Sequence, residues 1–206
     1  MDGKRNDKGL PVGTFERLNV AKDSFHEEVI IAGFGGQGVI LVGRLLAQTA
    51  MNAGKEVTFM PSYGAEMRGG TANSMVVIAD EPIASPLVSR SDSLIAMNKA
   101  SLNKFASVVK TGGLLIMNSS LIDTKPDIDK SIDILAIPAD DIAVELKNQK
   151  SANMVALGAY LQRRGLFSVD AAAKSLPDVL AERYHKTIHL NVEAMQRGAE
   201  FAKNSV

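Results

Sequence analysis

The chain has 206 residues, and none of them is cysteine. That absence removes disulfides, thiolate nucleophiles and zinc–thiolate sites, and with them the usual means of ligating an iron–sulfur cluster. Any cluster that serves this protein is therefore expected in another chain. Excess charge is missing too. The 23 lysines and arginines balance 23 aspartates and glutamates, so there is no electrostatic case for a nucleic acid or an anionic membrane surface as partner. No apolar run reaches the roughly 18 residues of a membrane span, and the first residues lack the apolar core of a signal peptide. A cytoplasmic protein with no membrane contact is the expectation. Histidine is scarce: His26, His185 and His189. The last two stand four apart, on one face if a helix runs through both, with Glu182 nearby. Solvated side chains account for them better than a metal site does.

Hydrophobic residues make up 46% of the chain and charged ones 22%, enough to bury the core of one domain with a small appendage. Residues 1–26 mix charge, glycine and isolated apolar side chains without either structural period, and read as an N-terminal arm. The domain is expected over 27–206. It opens with a strand at Val29–Ala32 and a helix at Gly38–Ala53, then a strand at Glu56–Met60. A strand over Thr71–Ala79 follows with no helix between, so it should run antiparallel to a neighbour. Further apolar runs at Ser93–Met97, Leu114–Met117 and Ile132–Ile137 read as strands. A helix is expected over Lys99–Val108 and a turn at Thr111-Gly112-Gly113. After Pro138 the pattern turns helical: Asp140–Asn148, Asn153–Arg164, Ser168–Leu180 and Lys186–Lys203. Continuous apolar strands alternating with helices require a sheet covered on both faces. The fold class is therefore α/β, a three-layer α/β/α domain with a mostly parallel, mixed sheet and a helical C-terminal region.

The stretch around which the rest is organised is Glu27–Gly70, where two glycine-rich turns bracket one helix. Gly33, Gly35 and Gly38 match G-x-G-x-x-G, which aims backbone N–H groups at an anion. A dinucleotide site also expects a carboxylate about 20 residues on, at the tip of the second strand. Met60-Pro61-Ser62 stands there instead. The second turn sets Tyr63, Glu66 and Arg68 between Gly64 and Gly69-Gly70. A guanidinium there suits a phosphate, a carboxylate or an acidic side chain of a partner, and equally an internal pair with Glu66. Asn98, Asn118, Ser119 and Asn153 fall at strand ends or helix starts, where they cap backbone or face the crevice at the carboxyl edge of the sheet.

Gly35-Gly36-Gln37-Gly38, then Ser62-Tyr63-Gly64-Ala65-Glu66-Met67-Arg68-Gly69-Gly70-Thr71-Ala72-Asn73, then Asp80-Glu81-Pro82-Ile83 resemble the gamma subunit of 2-oxoacid:ferredoxin oxidoreductases. The resemblance continues through Leu94–Asn98, Gly112–Ser120 and Asn153–Gly158, and it is nearer the 2-oxoglutarate type than the pyruvate type. It implies an enzyme that turns a 2-oxoacid, coenzyme A and oxidised ferredoxin into an acyl-CoA, carbon dioxide and reduced ferredoxin. Such an enzyme uses thiamine diphosphate, Mg2+ and iron–sulfur clusters. This chain has neither a cysteine set nor the Gly-Asp-Gly that opens a thiamine-diphosphate motif. The resemblance thus implies one subunit, inactive alone, beside alpha, beta and ferredoxin-like delta subunits, with ferredoxin met only indirectly. No cofactor is assigned to this chain alone; the candidate cofactor-binding residues, which would help shape the approach of coenzyme A and substrate, are Gly35, Gly36, Gln37, Gly38, Tyr63, Gly64, Glu66, Arg68, Gly69 and Gly70. Two other readings stand beside it: a free-standing NAD(P)-binding oxidoreductase of Rossmann-like fold, and an interface module with no ligand of its own.

Overall fold

The computed structural model describes residues 24–64 and 70–205. Six strands form one sheet: β1 (His26–Phe34), β2 (Glu56–Tyr63), β3 (Thr71–Ala79), β4 (Ser91–Ala96), β5 (Val109–Asn118) and β6 (Asp133–Ile137). Their order is β2-β3-β1-β4-β5-β6. β3 runs antiparallel to both β1 and β2, while β1, β4, β5 and β6 pair in parallel. The sheet is mixed as expected, because the short link from β2 to β3 leaves no room for a crossover helix.

The central strands are apolar on both faces. Val29, Ile31, Ile95, Leu114 and Ile116 point to one side, and Ile30, Ala32, Leu94, Ala96 and Leu115 to the other. The first face is covered by α1 (Val39–Asn52), α3 (Ala139–Glu145), α4 (Ala152–Arg164), α5 (Val169–Val179) and α6 (Ile188–Asn204). The second is covered by the short α2 (Lys99–Phe105), continued by a 3-10 turn over Ala106–Val108, and by irregular segments carrying Val88, Ile122 and Ile132. α1 buries Val39, Val42, Leu45, Leu46 and Ala50 at helical spacing and stops at Gly54, whose φ of 77° no helix accepts.

Two local readings change. Thr111-Gly112-Gly113 is not a turn between elements but lies inside β5. There Ser91 pairs with Val109 and Ser93 already with Leu114, so β5 bulges. Glycine is needed at 113 because a Cβ would stand 2.7 Å from the Asp92 carbonyl oxygen and 2.8 Å from that of Lys110. His185 and His189 do not share a helix. His185 lies in a 3-10 turn over Glu182–Thr187, with its Nε2 3.0 Å from the Leu180 carbonyl oxygen, and His189 belongs to α6. Of the expected arm, residues 1–23 lie outside the described residues. Phe25 already joins the domain, accepting from the Asp80 amide at 3.0 Å.

α4 is the spine of the helical layer. Every residue from Ala152 to Leu161 is buried. It meets α6 so closely that a Cβ on Gly158 would collide with the Met195 carbonyl oxygen, and one on Gly198 with that of Val155. The other end of α4 holds an ionic network that no local pattern announces. Glu27, 1% exposed at the start of β1, accepts from Arg164 Nε at 2.9 and 3.0 Å and from Ser93 Oγ at 2.6 Å. Tyr160 Oη donates to the same carboxylate at 3.4 Å. Burial, reinforced by the Glu27 charge, pushes the Tyr160 phenol well above its ordinary range, so it stays a neutral donor. Alongside, Lys110 pairs with Asp92 at 2.9 Å and with Glu28 at 2.7 Å.

Candidate functional site

β1 ends at Phe34 and α1 begins at Val39, so Gly35–Gly38 is a strand-to-helix turn at the carboxyl edge of the sheet. Gly36 has φ 101° and Gly38 φ 70°, values that an L side chain adopts only with strain. Gly33, just before the turn, is held by crowding: a Cβ there would lie 2.8 Å from Val39 Cγ1 and 2.9 Å from Gln37 Oε1.

Gln37 is spent on holding the turn. Its Oε1 accepts from the Phe34 amide at 2.7 Å and from Asn98 Nδ2 at 2.8 Å, and its Nε2 donates to the Met97 carbonyl at 3.3 Å. Asn98 in turn caps α2 through the Ser101 amide at 2.9 Å. Asn118 donates to Met97 O at 3.3 Å and to Asp140 Oδ2 at 2.6 Å, and accepts from the Ala139 amide. This chain of amides ties the ends of β1, β4 and β5 to the starts of α2 and α3. The capping reading therefore suits Asn98 and Asn118, and Ser168 likewise caps α5 at 3.1 Å.

The two glycine turns meet. The Gly35 amide donates to the Gly70 carbonyl at 2.9 Å, and the Gly64 amide to the Thr71 carbonyl at 2.7 Å. Tyr63 belongs to β2 rather than to the loop, opposite Ala72, and remains 69% exposed. Phe34 is exposed beside the turn as well. Glu66, Arg68 and Gly69, with Ala65 and Met67, lie outside the described residues. The structure thus brings Gly35, Gly36, Gln37, Gly38, Gly64 and Gly70 into one place, with Tyr63 at its rim.

It missed what Asn153 does there. Asn153 caps nothing; its Nδ2 donates to the Gly38 carbonyl at 3.3 Å, and a Cβ on Gly38 would collide with that amide. The only signal was its place at the start of an apolar helix. Gly38→Val, with both a left-handed backbone and that collision, is expected to lower stability by about 1–3 kcal/mol in a chemical melt. An unchanged midpoint would show that the turn tolerates a side chain.

Chemically the site offers donors rather than catalytic groups. α1 starts at Gly38 with no side-chain cap and no acidic residue in its first turn, so no side chain of its own offsets the positive end of its dipole. Among the described residues no cluster of histidine, aspartate or glutamate could hold a metal ion.

A model of the pyruvate ferredoxin/flavodoxin oxidoreductase family matches residues 28–201. Among curated proteins, the chain is 33% identical over 188 residues to a 2-oxoglutarate synthase subunit, KorC, of Methanocaldococcus jannaschii, covering 90% of this chain and 99% of that one. It is 36% identical over 180 residues to the ketoisovalerate oxidoreductase subunit VorA of Methanothermobacter thermautotrophicus, of whose length it spans only 37%. The solved gamma subunit of a keto/oxoacid ferredoxin oxidoreductase from Geobacter sulfurreducens is 31% identical with a TM-score of 0.73, covering 87% of this chain and 99% of that one. The 2-oxoglutarate:ferredoxin oxidoreductase of Magnetococcus marinus, solved with 2-oxoglutarate, coenzyme A and succinyl-CoA bound, is 27% identical with a TM-score of 0.78, covering 88% of this chain and 32% of that one. With its fold and most of its length matched, the chain belongs to the pyruvate ferredoxin/flavodoxin oxidoreductase family, as a chain of the gamma-subunit kind.

Proposed function

We propose that this chain is the gamma subunit of a 2-oxoglutarate:ferredoxin oxidoreductase. It supports the coenzyme A-dependent oxidative decarboxylation of the 2-oxoacid by a cytoplasmic complex with alpha, beta and ferredoxin-like delta subunits. The observation that carries the substrate class is the end-to-end match to a 2-oxoglutarate synthase subunit. The ketoisovalerate relative is matched over about a third of its length. Thiamine diphosphate, Mg2+ and the iron–sulfur clusters belong on this reading to the partner chains, since this one has no cysteine. Its own part is to pack against the thiamine-binding chains and to present the Gly35–Gly38 turn, with Tyr63, Gly64, Glu66, Arg68, Gly69 and Gly70, to coenzyme A. The uncapped start of α1, with no acidic residue in its first turn, supports an anionic ligand there.

The test is reconstitution. Alone, the chain should reduce no electron acceptor with any 2-oxoacid; with its partner subunits it should restore activity, with 2-oxoglutarate preferred to ketoisovalerate in kcat/KM. Turnover by the isolated chain, or a preference for ketoisovalerate, would overturn the reading. In the same assay Arg68→Ala should raise the KM for coenzyme A about ten-fold, because a charge-assisted bidentate contact is worth about 1.5–3 kcal/mol. Lysine should rescue only in part, having no planar fork. An unchanged KM would mean that Arg68 serves the loop alone.

A further inference from the structure

The sheet ends in two free strands, β2 and β6, and their edges are protected unequally. On β2 the Gly64 amide donates to Thr71, so by alternation Val57, Phe59, Pro61 and Tyr63 turn their backbone away from β3. Pro61 thus stands where an outward N–H would be, a common way of blunting an edge. β6 has no proline among its five residues. The Ser119 amide donates to the Ile137 carbonyl, so Asp133, Leu135 and Ile137 face β5, while Ile134 and Ala136 turn their N–H and C=O outward. Among the described residues no backbone or side-chain group pairs with them across that edge. The charge at the start of the strand, Asp133, is taken up by Arg163 at 2.7 and 2.9 Å.

The edge is also apolar. Leu135 and Ile137 point to the helices, so Ile134 and Ala136 lie on the opposite face, where Ile134 is 41% exposed and Ala136 is exposed as well. On the helix side a groove of about 650 Å³ has Pro138 and Ile142 in its lining, with Phe201 and Ser205. Pro138 follows the end of the strand, and Arg163 ties the Ser205 carbonyl to Asp133 at its start, so the groove runs along β6.

We propose that this edge docks a second copy of the chain, β6 against β6, antiparallel about a two-fold axis at Leu135. In an antiparallel pair outward groups must meet outward groups, and about Leu135 they do: Ile134 of each copy lies opposite Ala136 of the other, and the two exchange both N–H···O bonds. Side chains in these pairs are large beside small. Charge is complementary from end to end. The axis brings the start of one β6, with Arg163 beside it and Lys203 in the last turn of α6, to the end of the other, which leads to the exposed acids Asp141 and Glu145. Glu145 shares Arg197 with Glu200, which leaves acid in excess there. The contact uses no residue of the glycine turn and stands whether or not that turn holds coenzyme A.

Because the chain has no cysteine, the register can be tested in the full-length protein without competing thiols. Ile134→Cys and Ala136→Cys are prepared separately and then mixed. Under mild oxidation the mixture should give a disulfide-linked dimer, since opposite residues of such a pair stand within disulfide reach; either variant alone should not, its two thiols being displaced along the strands. Light scattering on the wild type should show a dimer that dissociates on dilution. Ile134→Lys, which sets a charge in each half of the seam, should weaken that dimer about ten-fold or more, and Ala136→Pro should do the same by removing one N–H from each pair. The lysine variant leaves the backbone unchanged and covers the case in which the proline variant does not fold. A wild type that is monomeric at every concentration, a mixture that does not link, linking as fast in either cysteine variant alone, or an undiminished dimer in Ile134→Lys would each overturn the proposal.

Discussion

Arg164→Ala is expected to lower the stability of this protein by about 3–5 kcal/mol, the usual cost of leaving a buried charge without its partner. Glu27 is almost fully buried and takes both of its Arg164 Nε contacts at about 3 Å. The two groups that remain beside it, Ser93 and Tyr160, are neutral. Ordinary surface pairs here, such as Lys99 with Asp123, should be worth at most about 1 kcal/mol by the same measurement. The loss is read as the difference between variant and wild type in urea unfolding. A second variant, Glu27→Leu with Arg164→Leu, should recover much of the loss, because replacing a buried pair by apolar groups is often neutral. If Arg164→Ala costs under 1 kcal/mol, the pair is no more than a surface contact.

None of this network was legible in the sequence, and the reason is distance. Glu27 sits two residues before Val29, where the apolar run Val29–Ala32 begins, and reads as a domain boundary, and its partner lies 137 residues away. The strands themselves were legible because each carries a short apolar run that needs no tertiary information. β3 was placed to the residue, and its antiparallel course followed from the missing helix before it. The two departures have the same origin. Glycines at 112 and 113 signal a turn locally, yet they serve a bulge forced by the neighbouring strand. His185 and His189 fit one helix by spacing, yet the chain tightens into a 3-10 turn before α6 begins. At the site, the glycines could be read because positive φ and close approach leave a mark in the sequence. Asn153 could not, since an asparagine two residues into a helix looks like a cap, and only the fold shows that it faces Gly38 instead.

Gly158→Ala pits two effects against each other, and its sign decides between them. Alanine in a helix interior is favoured over glycine by about 0.5–1 kcal/mol, so on propensity alone the variant should be more stable. The structure predicts the reverse. The new methyl has to occupy the space of the Met195 carbonyl oxygen, and the reciprocal contact of Gly198 with Val155 leaves α6 no way to slide without a second collision. A flexible side chain could rotate away, but these obstacles are backbone. Overpacking of about 1–3 kcal/mol should therefore outweigh propensity and leave a net loss of about 1 kcal/mol. Gly158→Val, larger and less suited to a helix, should exceed that and prevent folding in a marginal background. The strain has a direction. α4 is buried over ten residues and so moves as a unit, carrying Asn153 away from Gly38 at one end and Arg164 from Glu27 at the other. In the alanine variant, ligand binding at the glycine turn should weaken together with stability, although Gly158 itself is not among the residues of that site. A stabilised Gly158→Ala protein with wild-type binding would show that α4 and α6 have room to part, and that the turn is positioned by β1 and α1 alone.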